Sequence, residues 1–259
     1  MSKPGKFSLG VFLFVTLFLH IPLVILVVSS FNSSKSMRWE GFSLKWYHEL
    51  FYNSQPLWHS FYNSIIVAIS SAVTATIIGS LGAIGLCWYN FRMKKAIQTL
   101  TFFPIILPEI IIGVSILIFF NKIGLNLSLL TVFLAHVTFN IPFVLMTVMA
   151  RLEEFDFSIV EAAYDLGASE LDMLLRVLLP IAMPGIIAGL LLAVTLSLED
   201  FVITFFVAGP GSSTLPLHIF SMIRFGVSPA LNALSVVIIV GTALLAWSTK
   251  NLYSSLLKR

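Results

Sequence analysis

Stretches of about 20 apolar residues, the length that crosses a bilayer as a helix, recur along this 259-residue chain, and nothing else constrains its fold as tightly. Lipid offers the backbone no hydrogen-bond partners, so such runs must close their own bonds as helices. Six segments qualify: residues 8–29, 61–88, 99–120, 127–150, 182–208 and 231–249. Charged residues make up 10% of the chain and hydrophobic ones 58%, whereas soluble domains carry about 25% charged residues. The expected fold class is an all-α integral membrane protein with six transmembrane helices, residues 1–259 forming a single transmembrane domain.

The run from Phe7 to Val28 follows Lys3 and Lys6 and precedes Ser29-Ser30, a layout that signal peptides share. It is longer than a usual signal core, so it reads as a retained first span. With the N-terminus in the cytoplasm, 10 Lys and Arg residues fall on inner segments, and 5 (Lys35, Arg38, Lys45, Lys122 and Arg224) on outer ones. The excess of positive charge inside supports cytoplasmic termini and places residues 151–181 in the cytoplasm. The net charge of +3 is spread along the loops, which argues against nucleic-acid binding. One cysteine, Cys87, excludes an intrachain disulfide, and the five His residues lack metal-ligand spacing. With no GxSxG, no HExxH and no paired nucleophile and base, no catalytic residues and no metal ligands are expected, and the chain reads as non-catalytic.

Between the fourth and fifth segments lies a polar stretch with dense helical signals, Glu161 to Pro180, reading EAAYDLGASELDMLLRVLLP. Ser158 and Glu161 have the spacing of a capping box, in which each side chain satisfies a free amide of the first turn. Gly167 suits the left-handed position that ends a helix. Ser169 and Asp172 repeat the box spacing and open a second helix, with Leu171, Leu174, Leu175 and Leu178 on one face. Pro180 cannot donate a hydrogen bond and is expected to close it. The small Ala162 and Ala163 allow another surface to approach closely. Glu153, Glu154, Asp156, Glu161 and Asp165 give the stretch an acidic side suited to a basic partner.

Glu161-Ala162-Ala163, three residues, Gly167, nine residues and Val177-Leu178-Leu179-Pro180 resemble the EAA loop of bacterial ABC importer permeases, EAA-x3-G-x9-I-x-L-P, with Val177 in the Ile position. The resemblance covers nearly the whole chain. Asn32-Ser33-Ser34, the segment WEGFSLKW from Trp39 to Trp46, Glu161 to Pro184, and Leu215 to Ala233 are similar to the polyamine (spermidine/putrescine) branch of that superfamily. It implies a MetI-like type I importer permease fold, in which residues 151–181 are a cytoplasmic hairpin coupling the chain to an ATPase. Glu161, Ala162, Ala163, Asp165, Gly167 and Pro180 would be the coupling residues. It further implies a bacterial inner-membrane location, a second permease subunit, an ATPase dimer, a periplasmic polyamine-binding protein and a polyamine substrate. The chain has no GxxxxGK[ST] pattern, so ATP and Mg would bind the ATPase partner, with no cofactor in this chain.

Three acids, Glu109, Glu199 and Asp200, fall inside expected spans, where a carboxylate usually marks a pathway or a partner. Glu109 follows Pro104 and Pro108, which interrupt helix bonding. No Lys or Arg shares these spans. A polycationic substrate could supply the missing charge, helped by cation–π attraction to Phe102, Phe103, Phe201 or Phe205. Protonation, or pairing with the partner permease, is the alternative. His136 and Asn140 share a helix face and read as interhelical hydrogen-bonding groups. Gly79, Gly82 and Gly85 permit close helix packing. Trp39, Trp46, Tyr47 and Trp58 read as interfacial anchors. Other readings are an ABC permease for another small solute, or a secondary cation transporter using the same acids.

Overall fold

In a computed structural model, which describes residues 5–35, 38–154, 156, 158–224 and 229–256, with side chains as far as Leu244, the protein is helical apart from one isolated bridge between Asn32 and Phe42. In order the helices are α1 (Lys6–Ser29), α2 (Lys45–Tyr52), α3 (Gln55–Trp88), α4 (Lys94–Ile106), α5 (Glu109–Lys122), α6 (Leu129–Glu153), α7 (Ser158–Asp165) and α8 (Glu170–Met173). A π turn, Leu174–Leu178, leads into α9 (Leu179–Glu199), then α10 (Val202–Val207), α11 (Leu215–Arg224) and α12 (Pro229–Leu256). Lys3, Lys258, Arg259 and residues 225–228 of the 215–233 stretch lie outside the described residues.

Among the described residues, four helical runs are long and apolar enough to cross a membrane: Lys6–Ser29, Gln55–Trp88, Leu129–Glu153 and Glu170–Glu199. The bent pair α4 and α5 is a fifth candidate, with an angle of 111° between its halves. The sixth expected segment falls in α12, whose apolar part over the described side chains, Pro229–Leu244, is shorter. The expected fifth span, 182–208, is corrected at both ends. Its helix α9, continuous through the π turn with α8 from Glu170, stops at Glu199, and residues 202–207 form the separate α10. The second expected span, 61–88, falls in α3, which begins at Gln55.

Two compact units divide the chain, residues 1–56 with 219–259, and residues 57–218. In the first, Trp46 is 1% exposed and its indole N–H donates to the Asn32 carbonyl at 2.6 Å. It is a core residue of that unit, not the interfacial anchor expected from its type. Tyr47 likewise bonds the Ser30 hydroxyl at 2.7 Å.

The second unit holds both apolar clusters. One gathers Ala72, Ala75, Ala83, Val144, Val148, Leu152, Ala182 and Ala193 where α3, α6 and α9 meet. Small residues set that spacing. A Cβ on Gly79 would lie 2.9 Å from the Val144 side chain, and one on Gly185 2.7 Å from Arg151 Cβ. Gly85 has open space around its Cβ position, so the packing role expected of it falls to Gly79 and Gly82. The other cluster joins Val67, Ile112, Val132, Phe139, Ile203 and Val207, and it carries the acidic pocket described next.

Candidate functional site

Two helix breaks build the site. A residue before proline is pushed out of helical backbone by the ring. Leu107, before Pro108, is extended (φ −75°, ψ 142°), so α4 ends and α5 restarts at Glu109. The second break is set by Asp200, itself extended (φ −62°, ψ 124°). Its carboxylate accepts from the amides of Ile203 (3.2 Å) and Thr204 (2.9 Å) and from the Thr204 hydroxyl (2.7 Å). Those amides are free first-turn donors of α10, so an aspartate here stops one helix and starts the next.

The breaks face one another. Glu109, Glu199 and Asp200 all line one pocket of about 290 Å³, together with Phe139, Leu196, Phe201 and Val202. A Cβ on Gly113 would lie 2.7 Å from Phe206, which records how closely α5 packs on α10. The Thr131 hydroxyl donates to the Val207 carbonyl at 2.7 Å, tying α10 to the start of α6. Gly209 lies so close to the Leu127 carbonyl that no Cβ fits.

The acids are not equivalent. Glu109 and Glu199 are exposed, and neither has an ion pair or hydrogen-bonded partner among the described residues. Asp200 is 7% exposed, and His136 Nε2 approaches its carboxylate at 3.2 Å. His136, itself 1% exposed, has both ring nitrogens engaged: Nδ1 with the Ser197 hydroxyl at 2.6 Å, Nε2 with the Thr204 hydroxyl at 2.9 Å. The Ser71 hydroxyl of α3 donates to Ser197 at 3.3 Å. One proton arrangement satisfies the chain: Ser71 to Ser197, Ser197 to Nδ1, and Nε2–H to Thr204 and Asp200.

The interhelical role expected of His136 and Asn140 therefore holds for His136 alone. Asn140 is fully buried, and neither amide atom has a partner among the described residues. Of the four phenylalanines expected near the acids, Phe201 lines the pocket and Phe205 stands against Phe201 with ring centroids 5.7 Å apart; Phe102 packs on the α3–α6–α9 cluster, and Phe103 is 54% exposed. Phe139, Ser71, Ser197 and Thr204 escaped sequence reading. The spacing of Thr204 four residues after Asp200 is a capping signal, but Ser and Thr in apolar runs are too common to single out.

The polar hairpin lies elsewhere in the same unit. Asp156, not Ser158, caps its first helix: the Ser158 amide donates to Asp156 Oδ1 at 3.0 Å, and this pulls the Asp156 carboxyl below its ordinary range. Gly167 takes the left-handed corner, with φ +83°. Ser169 caps the second helix, accepting from the Asp172 amide at 3.2 Å and donating to the Asp172 carboxylate at 2.6 Å. That bond, with Arg176 nearby, lowers the Asp172 pKa.

Two expectations about the hairpin are corrected. Pro180 does not end the helix. The π turn Leu174–Leu178 directly precedes α9, and Pro180 sits in its first turn, where a missing N–H costs little. The buried face is Met173 (0% exposed) and Leu178 (1%), whereas Leu171 and Leu175 are 66% and 50% exposed. Leu174 also packs on the α3–α6–α9 cluster, so half of the expected leucine face holds; the wider π turn brings Met173 nearly into line with Leu178, five residues on, and leaves Leu171 and Leu175 outward.

Glu161, Ala162, Asp165, Gly167 and Pro180 are exposed and Ala163 is half-buried; Leu166 is 89% exposed. Val160 is buried with Met173 and Leu178 against Ile84, Leu86 and Leu152. The Tyr89 hydroxyl, just past α3, donates to Glu170 at 2.7 Å, which raises the Tyr89 pKa.

Residues 75–258 match the family described as binding-protein-dependent transport system inner membrane component. The chain is 43% identical over 224 residues to the spermidine/putrescine transport system permease protein PotC of Escherichia coli K12, covering 86% of this chain and 84% of that one. It is 41% identical over 230 residues to the putrescine transport system permease protein PotI of the same organism, covering 86% and 82%. Among solved structures, a bacterial ABC transporter that imports the acidic polysaccharide alginate superposes with a TM-score of 0.74 at 16% identity, over 97% of this chain and 99% of that one.

Proposed function

Since the chain belongs to the family of binding-protein-dependent transport system inner membrane components, the non-catalytic permease subunits of ABC importers, we propose that its cargo is a polyamine, spermidine or putrescine. The observation that carries this reading is the pocket where two broken helices bring Glu109, Glu199 and Asp200 together. Glu109 and Glu199 have no cationic partner among the described residues, so an entering cation meets uncompensated charge. α4 and α9 both end at these breaks, and helix C-termini carry partial negative charge. Broken helices that expose such ends near mid-membrane are a recurrent way to hold a cation. Phe139 and Phe201 in the lining can add attraction for ammonium groups. About 290 Å³ suits a small solute. The curated relatives above are named for spermidine and putrescine.

The family works with an ATPase and a substrate-binding protein. Here the permease pairs with a second permease subunit and an ATPase dimer that binds ATP and Mg, and it receives polyamine from a periplasmic binding protein. Both termini lie in the cytoplasm, and residues 151–181 form the coupling loop. Glu161, Ala162, Ala163, Asp165, Gly167 and Pro180 present its docking side, with exposed Leu166 as an apolar contact. ATP-driven closure of the ATPase moves the hairpin, which is anchored through Val160, Met173 and Leu178 to the core where α3, α6 and α9 meet, and so turns the pocket alternately outward and inward. The test is polyamine uptake by Glu109→Gln, Glu199→Gln and Asp200→Asn variants in the assembled transporter. Loss of uptake is expected; normal uptake in all three rules out the acidic pathway.

A further inference from the structure

We infer that His136 is a positioning residue for cargo binding: by gripping Asp200 in the α9–α10 break, it fixes where Glu199 and Phe201, the residues on either side, stand in the pocket. This rests on the reading of that pocket as the polycation pathway.

The geometry is specific. Asp200 has three donors within its own chain segment, the Ile203 and Thr204 amides and the Thr204 hydroxyl. These hold α10 onto Asp200 but fix neither against the other helices. His136 does that from α6, through Nε2 to Asp200 (3.2 Å) and Thr204 (2.9 Å). Through Nδ1 it holds Ser197, two residues before Glu199 (2.6 Å), and Ser197 is tied on to Ser71 of α3. One imidazole thus clamps both sides of the break. Three residues on, Phe139 forms pocket wall on the same helix. Asp200 lines the pocket, but its oxygens are already engaged, leaving direct contact with ammonium groups to Glu109 and Glu199. His136 itself does not line the pocket.

The experiment measures ATP-driven uptake of radiolabelled spermidine and putrescine by the full transporter in proteoliposomes, comparing KM and maximal rate. Gln at 136 can place an amide N–H where Nε2–H stands, whereas Leu cannot donate. His136→Gln is expected to keep KM within about threefold, and His136→Leu to raise it about tenfold or more, the loss of about 1.4 kcal/mol of binding. In an Asp200→Asn background the Leu substitution should add little, because the group it positions is already altered. If the Leu protein does not assemble, His136→Asn replaces it: its shorter amide reaches the Ser197 side only, and the same KM rise is expected. An unchanged KM in an assembled Leu or Asn variant, with only the amount of transporter reduced, overturns the inference. A Glu109→Gln/Glu199→Gln double variant separates the two claims. If it loses uptake while His136→Leu keeps a normal KM, the positioning role alone fails; if it transports normally, the pathway reading fails and takes this inference with it.

Discussion

Asp200 and Glu199 are neighbours with opposite fates. Glu199 ends α9 exposed to the pocket, and Asp200 turns back to accept four hydrogen bonds. Removing the charge of a buried, fully bonded carboxylate leaves its donors misdirected, at a cost of roughly 3 kcal/mol. Asp200→Asn should therefore lower the thermal midpoint of the purified transporter as well as uptake. Glu199→Gln should leave the midpoint within about 1 °C, since exposed substitutions change stability by under about 0.5 kcal/mol, yet depress uptake. Equal midpoints would contradict the division of roles. A second contrast lies in the glycines after α10. Gly209→Ala forces a Cβ into the Leu127 backbone and should destabilise by roughly 1–3 kcal/mol. At Gly211 the space is open and the φ of +75° is the sole obstacle, so alanine there should cost about 1 kcal/mol. Thermal melts of the two variants decide it. The three acids were legible in the sequence because a carboxylate in an apolar run is costly. The His136 grip on Asp200 was not, since it joins residues 64 apart whose meeting depends on the break itself.

At the scale of elements, the hairpin was the most readable part and its second helix the most misleading. Gly167 and Ser169 sit where turn and cap chemistry put them. Leu174 and Leu178 of the expected leucine face do pack inward, but Met173 was missed and Leu171 and Leu175 misassigned, because a five-residue π turn cannot be read from apolar spacing counted at 3.6 residues per turn. Met173 and Leu178 anchor the hairpin, so Leu178→Ala should cost about 2–5 kcal/mol. Leu171→Ala, at an exposed position, should cost under 1 kcal/mol, and denaturation of the two proteins compares them. Acid should loosen the same element. The Ser169 hydroxyl and Arg176 lower the Asp172 pKa, and the Ser158 amide lowers that of Asp156. Groups with depressed folded pKa values contribute fully above the ordinary carboxylate value near 4, and lose that contribution as pH falls through the folded values. Amide exchange over 158–173, corrected for its intrinsic pH dependence, should accelerate below about pH 4. No such acceleration would contradict the assignment. For docking, Glu161→Lys should abolish ATPase association and transport while leaving the helices folded; retained assembly and transport would count against the coupling role.

Across the whole molecule, apolar run length announced a membrane protein, and the helices cover the expected segments, with early starts at Gln55 and Glu170 and interruptions where proline or aspartate intervenes. Leu107-Pro108 bends one expected span by 111°, and Asp200 cuts another short. Both interruptions lie at the acidic pocket, so the places where simple span counting fails are the places where the proposed cargo is held. The two ends of the account, an ATP-coupled hairpin and a cation pathway, meet in one assay: uptake of radiolabelled spermidine and putrescine by the reconstituted transporter, with and without ATP, for the native chain and a Glu109→Gln/Glu199→Gln double variant. The account predicts uptake that requires ATP, is competed by unlabelled polyamine and not by amino acids, and is lost in the double variant. ATP-independent uptake, competition by amino acids, or native rates in the double variant would contradict it.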